Sequence, residues 1–341
     1  MTKEIDMRPK IWTITVRCVL SPLGVAALSC ALAIVSHGQS QSKQHAPASS
    51  KPAQKVFDTP QQAAEALIQG AERFDVPALL EIFGPAGEDL VSSADPVQDK
   101  NYAEAFSSLA HQKKAVNIDP KNPARASLSV GEEDWPFPVP IVKKGGKWHF
   151  DTKEGHDEIL LRRIGVNELD AIQVCRGFVE AQQEYSLQRH DGINQYAQKI
   201  ISTPGKQDGL YWQNADGTPG GPISEAVARA IEEGYSTAER SAYHGYYFKV
   251  LKGQGPAAPL GQLDYVIKGI MIGGFALVAV PAEYRVTGVK TFMVSHDGIV
   301  YEKNLGPDSL NLFKNMERYN PDKTWHRTDD QWTTEVSTVK E

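Results

Sequence analysis

The chain has 341 residues, enough for two domains that each bury a core, and its 41% hydrophobic and 23% charged residues match a soluble globular protein. The formal charge is −6, and the first 38 residues carry +2, so the body after them is near −8. Phosphate binding needs clustered Lys and Arg, and an acidic body without a basic stripe argues against nucleic acid as a partner.

The amino terminus reads as an export signal. Arg8, Lys10 and Arg17 precede the uncharged run Cys18–Val35, and the small residues Ser36 and Gly38 follow in "SHGQS". The run could just span a bilayer as an uncleaved anchor, but Pro22, Gly24 and the small residues favour cleavage. Cys30, in "ALSC", lacks the bulky residue three positions earlier that a lipoprotein signal carries. Residues 1–38 are therefore read as signal peptide or anchor. Residues 39–55, "QSQSKQHAPASSKPAQK", have nothing to bury and are read as a disordered linker. Beyond the signal Cys175 is the only cysteine, so no internal disulfide forms there; its apolar neighbours at helical spacing point to a buried structural thiol.

A first domain is expected over 56–160. Asp58 or Thr59 caps a helix with Pro60 in its first turn and Ala63, Ala64, Leu67, Ile68 and Ala71 along one face. "VPALLEIFG" predicts a short helix closed by Gly84, and "KNYAEAFSSLAHQ" another. Strands follow: "RASLSVG", then "PVPIVKKGGKWHFD" with a Gly145-Gly146 turn. "EDWPFPVP" (132–140), with alternate prolines, reads as an extended edge segment whose Trp135 and Phe137 plug the core.

A second domain is expected over 161–327, with a flexible tail at 328–341. Leu169, Ile172, Val174, Cys175, Phe178, Val179, Ala181, Gln182 and Tyr185 recur at three and four residues, predicting a long helix from Asn167 to about Gln188. Helix is expected to continue or restart in "GINQYAQKIIS" (192–202) until Thr203-Pro204-Gly205, and a shorter helix in "EAVARAIEEGY" (225–235). Strands are expected in "YHGYYFKVL", "DYVIKG", "GFALVAVPA" and "GVKTFMVSHDGIVYEKNL". The fold class is thus α+β in two modules: a helix-plus-antiparallel-sheet domain, then a long helix packed on an antiparallel sheet.

The first half, with Gly146-Lys147-Trp148 in its last strand, resembles the nuclear-transport-factor-2-like (cystatin-like cone) superfamily over about 57–155. That fold hosts enzymes and binding modules alike, so the resemblance implies no activity. "NELDAIQVCRGFVEAQQEY" and the sheet after it resemble the globular head of type IV pilin-like proteins, although here a whole domain precedes that helix. The chain as a whole resembles a bacterial exported family, domain of unknown function 2950. The resemblance rests on "GEDLVSSADPV", "DWPFPVPIVKKGGKWHFDT", "NELDAIQVC", "STPGKQDGLYW", "YHGYYFKVL" and "HDGIVYEKNLGPD".

Five stretches are candidate sites. His296-Asp297-Gly298 stands between strand-like runs and reads as a hairpin turn rather than half of a metal site. "STPGKQDGLYW" groups Lys206, Asp208, Tyr211 and Trp212 on a polar loop, where they bind a ligand or, alternatively, fold back over the helix end. "YHGYYF" offers His244 and Tyr246 on one strand face, either core or an aromatic platform. "RHDGINQYA" and "NADGTPGG" contain Asp-Gly but lack the spaced oxygen ligands and closing Glu of a calcium loop.

No nucleophile elbow, His-Glu-x-x-His, phosphate loop or dinucleotide fingerprint occurs. No catalytic residue, metal or cofactor is therefore assigned. The expected role is a non-enzymatic binding or assembly module, exported to the periplasm or cell envelope. Its partner would be an envelope protein or small ligand, with membrane contact only through an uncleaved amino-terminal segment. The alternatives are a hydrolase with a cleft between the modules, built from His244, His296, Asp208 and Lys206, and an accessory component of pilus or secretion machinery.

Overall fold

The computed structural model describes residues 53–92, 96–224, 228 and 244–328. Outside them lie residues 1–52, the helix expected at 225–235 apart from Ala228, Tyr243 and the tail from 329. The chain divides into two compact units, Met1–Ile159 and Leu160–Glu341. Helices with mainly antiparallel, open sheets make the fold α+β. Among the described residues no helix is long and apolar enough to cross a membrane.

The first unit opens with helices α1 (Pro60–Glu72), α2 (Val76–Phe83), α3 (Glu88–Val91) and α4 (Pro96–Gln112). Thr59 caps α1 by accepting from the Gln62 amide, and the expected Ala63, Ala64, Leu67, Ile68 and Ala71 are its buried face. Asp75 caps α2, and Gly84, at φ +73°, ends it. Five antiparallel strands follow: β1 (Lys114–Asp119), β2 (Asn122–Val130), β3 (Trp135–Pro136), β4 (Ile141–Lys144) and β5 (Lys147–Phe150). They are ordered β1-β2-β4-β5, with β3 also on β2. β1 was not expected, because its polar positions hide the alternation of an edge strand. The rings of Phe83, Phe106, Phe137 and Phe150 pack at 5.2–6.4 Å in the core, so Phe137 is the plug, while Trp135 is only half-buried.

Helix α5 (Thr152–Ser186) is 35 residues long and crosses from the first unit into the second. It starts fifteen residues before the expected Asn167. The start signal lies in "DTKE": the Asp151 carboxylate accepts from the Glu154 amide at 3.1 Å, as at a capped helix end. Gly155, Gly165 and Gly177 obscure the periodicity.

The second unit continues with β6 (Arg189–His190), β7 (Ile193–Asn194), β8 (Lys199–Ile201), β9 (Gly209–Gln213) and β10 (Pro219–Gly220). The helix expected over 192–202 is absent. Asp191 and Gly192, at φ +52° and +80°, form a two-residue hairpin turn instead, and Ile200 and Ile201 enter a strand. The main antiparallel sheet contains β11 (Tyr246–Leu251), β16 (Ala276–Pro281), β17 (Thr291–Ser295), β18 (Val300–Lys303) and β19 (His326–Arg327), in that order. Between β11 and β16 lie β12 (Gly253–Gln254), β13 (Leu263–Asp264), β14 (Val266–Ile267) and β15 (Ile270–Met271), so the expected "DYVIKG" strand is split between the end of β13 and β14. Lys268 and Gly269, both at positive φ, turn the last pair. A short helix α6 (Ser309–Asn315) precedes β19.

α5 buries Ala171, Ile172, Cys175, Phe178, Val179 and Tyr185 in one core with the main sheet, and Phe178 meets Phe275 edge-on at 5.7 Å. Burial pushes the Cys175 thiol up to about 12, so it is inert. Two expected members of the apolar stripe behave differently. Gln182 is fully buried because its amide exchanges two 2.8 Å hydrogen bonds with the backbone of Ala197, whereas Leu169 is 57% exposed.

Candidate functional site

His296-Asp297-Gly298 is the β17–β18 turn. Gly298 takes φ +72° and donates its amide to the Ser295 carbonyl, while the Asp297 carboxylate accepts from the Ser295 hydroxyl and the Ile299 amide, both at 3.0 Å. The His296 ring meets Tyr265 and Phe275 edge-on.

His244, at φ +47°, precedes β11, and its Nδ1 lies 2.7 Å from Asp170 on α5. The neighbouring helix residues hold the loop before β17. Asn167 donates to the Thr287 carbonyl, and the Glu168 carboxylate accepts from the amides of Val289 and Lys290 at 2.8 and 3.0 Å. Tyr246 is fully buried and donates its hydroxyl to the Lys290 carbonyl at 2.8 Å, and burial raises its pKa. Tyr247 and Phe248 are buried as well, so both faces of this strand are core and Tyr246 offers no platform.

The 202–212 loop closes on itself. Asp208 accepts from the Thr203 amide at 2.7 Å, the Thr203 hydroxyl at 2.8 Å and Lys199 at 3.0 Å. Burial pushes its pKa up, but these donors outweigh burial and hold the carboxyl below its ordinary value. Lys206 is exposed, and its backbone amide only closes the turn onto the Thr203 carbonyl. Tyr211 is a core residue at 5% exposure. Trp212 donates to Asn214 and sets its ring edge-on against Tyr185 and His190, at 6.4 and 6.2 Å. These two stack on each other at 3.7 Å, at the end of α5. Tyr185 donates to the Gln207 carbonyl, and burial, with Asp208 and Asp191 nearby, pushes its phenol up to about 12. The two aromatics thus cover the helix end.

These residues do not meet. Gly245, next to His244, pairs with Ala282 just past one end of β16, and Ser295, next to His296, pairs with Ala276 at the other end. Six strand residues separate them by about 17 Å or more. Asp170 and Tyr185 mark the His244 and Asp208 ends of α5, and fifteen helical residues span about 22 Å. No charge-relay constellation of His244, His296, Asp208 and Lys206 is assembled within the second unit.

What the geometry does assemble is a groove of about 460 Å³ along the carboxyl-terminal half of α5. Val174, Phe178 and Ala181 of α5, Ile200 of β8, Leu210 of β9 and Ile223 make it mostly apolar, within the size range of small-ligand and peptide sites. Gly177 leaves room, since a Cβ there would meet nothing within 4 Å. Gln173, Glu180 and Glu184 stand on the same side of α5, all exposed, with Ser224 opposite. Among the described residues neither Glu180 nor Glu184 has an ion-pair or hydrogen-bond partner for its carboxylate. Sequence reasoning missed these residues because it followed the buried stripe. The signal was off that stripe: a mid-helix glycine followed three and seven positions later by glutamates.

A family model described as "Protein of unknown function (DUF2950)" matches residues 54–328. No curated protein and no solved structure matches the chain.

Proposed function

The chain belongs to the DUF2950 family, proteins of unknown function, and from that premise we propose a non-enzymatic binding module of the cell envelope. Its partner presents a short apolar segment bearing positive charge, and the α5 groove takes that segment. One observation carries the reading: an apolar floor beside two carboxylates, Glu180 and Glu184, that lack a described partner. The floor supplies burial, and the glutamates select a cation and repel an anion, which sets specificity and on-rate more than affinity. Arg176, one turn before Glu180, is itself engaged.

Export is supported by the basic residues before the uncharged run 18–35. The cone-like and pilin-head-like resemblances are proposals for the two units, resting on helices before sheet in one and a long helix before a meander in the other. A pilus or secretion component would be a special case of the same binding role, and co-sedimentation with filaments distinguishes it. The hydrolase alternative draws no support from residues placed about 17–22 Å apart along β16 and α5.

The test uses the full chain and two fluorescent peptides, one of Leu and Lys, one of Leu and Glu. Fluorescence anisotropy should show saturable binding of the basic peptide only. Glu180→Lys with Glu184→Lys should weaken it about tenfold or more, as should Gly177→Phe, with no lowering of the thermal unfolding midpoint. Equal binding of the acidic peptide, or indifference to Gly177→Phe, would sink the reading. Binding that appears only after deletion of residues 229–243 would assign the groove to the chain's own segment instead.

A further inference from the structure

Charge in the first unit is unevenly distributed. Residues 53–159 carry 18 Asp and Glu against 11 Lys and Arg, yet Lys143, Lys144 and Lys147 gather at the tip of the β4–β5 hairpin, with Lys55 on the segment beside β5. Strand pairing sets Lys144 opposite Lys147 and Lys143 opposite Trp148, and a further bridge joins Trp148 to Phe57. The Lys143 ammonium lies 5.8 Å from the centre of the Trp148 ring, and that of Lys55 lies 5.8 Å from the Phe57 ring. Aromatic faces hold a cation in place without neutralising it.

All four lysines are exposed. Lys147 is ion-paired with Asp58, whereas Lys55, Lys143 and Lys144 have no carboxylate partner among the described residues. Elsewhere in this unit most cations are matched, among them Lys113 with Asp134, Lys114 with Glu65, and Arg125 with Glu154, and among the described residues the unmatched Arg73 and Lys121 stand singly. The turn itself is Gly145-Gly146, at φ +59° and +81°, with nothing within 4 Å of either Cβ position, so the tip projects freely. The described chain begins at Ala53, two residues before Lys55. The preceding stretch, with its uncharged run 18–35 and with Lys43 and Lys51 but no acid after Asp6, enters beside the Phe150 end of β5, where the Gln54 amide donates to the Phe150 carbonyl at 2.7 Å.

We propose that the lysine-tipped β4–β5 hairpin is a docking surface for the anionic headgroups of a lipid bilayer. Attraction between clustered lysines and a negative surface acts within about a Debye length, ~10 Å at 0.1 M salt, so it is felt only by the face that points at the membrane. The acidic remainder of the unit is repelled by the same surface, which turns the hairpin toward it. This surface is separate from the groove and stands without it.

The experiment follows amide exchange at Gly145 and Gly146 by mass spectrometry, with the full chain in phosphatidylcholine vesicles with or without phosphatidylglycerol. The amino-terminal segment carries basic residues too, so the hairpin's part is read from the hairpin variants, which leave that segment unchanged. Exchange at the tip should slow several-fold with phosphatidylglycerol, and the effect should disappear at high salt and in Lys143→Glu/Lys144→Glu. Lys144→Gln, which leaves the turn intact, should lose part of the protection and keeps the test decisive if the double variant does not fold. Equal exchange in the two vesicles, or protection that survives both variants, overturns the proposal. Slowing by inorganic phosphate without vesicles would reassign the site to free phosphate and overturn the bilayer as its partner.

Discussion

Two stretches of α5 carry carboxylates and use them in opposite ways. In Asn167–Asp170 every polar side chain is engaged: Asn167 with Thr287, Glu168 with the amides of Val289 and Lys290, Asp170 with His244. In Gln173–Glu184 the carboxylates of Glu180 and Glu184 face an open groove and engage nothing among the described residues. The first stretch clamps the loop before β17 to the helix. Its chemistry is consumed in satisfying backbone groups that would otherwise be costly to bury. The second retains its charge for something outside itself. A polar motif that stands out in sequence can therefore mark a tertiary clamp, while the surface open to a partner carries no motif.

Substitution in the clamp should give the largest loss of stability. A Cβ at Gly288 would stand 2.2 Å from the Tyr246 hydroxyl oxygen, in the core, where that hydroxyl already holds the Lys290 carbonyl. Gly288→Val should cost about 3 kcal/mol, at the upper end for overpacking, read as a lowered urea midpoint. An unchanged midpoint would mean that the loop does not lie against Tyr246.

A smaller effect is expected at Asp208, which belongs to neither stretch and closes the loop at the end of α5. Its native pKa is held below the ordinary carboxylate value, so the unfolded state binds the proton more readily. The stabilisation is present above the ordinary carboxylate range and is lost as pH falls through the lowered native value. Because its side chain is 37% exposed, Asp208→Asn should cost about 1 kcal/mol or less near neutral pH. The gap between variant and parent should close in acid. Parallel unfolding curves at every pH would remove the carboxylate from the loop's hydrogen bonding.

The tripeptide His-Asp-Gly shows where the sequence was legible and where it was not. It occurs at 190–192 and at 296–298, and both copies are hairpin turns. At 296 the flanks "TFMVS" and "IVYEK" are long enough to announce strands. At 190 each flanking strand has two residues, so local pattern could not outweigh the helix before it. The turns also differ in form: Asp191 takes positive φ, and Asp297 does not. Caps were legible at Thr59 and Gly84, because capping is local chemistry. The partner of His244 was not, because Asp170 lies 74 positions earlier and only the tertiary fold brings it to 2.7 Å. The groove was hidden for a similar reason, since its walls come from α5, β8, β9 and residues 222–224.

The mildest prediction separates the two stretches by sign. Glycine inside a helix costs roughly 1 kcal/mol relative to alanine through backbone entropy, a cost that an isolated helix would avoid. Gly177 takes no positive φ, and a Cβ there meets nothing within 4 Å, so alanine fits without strain. Gly177→Ala should therefore raise stability by about 0.5–1 kcal/mol in urea unfolding, whereas substitution at Gly288 lowers it. The added methyl enters the groove, so the same variant should hold the basic peptide slightly less well. Stability that fell instead would mean Gly177 is packed against another element, with no open groove above it for a partner to enter.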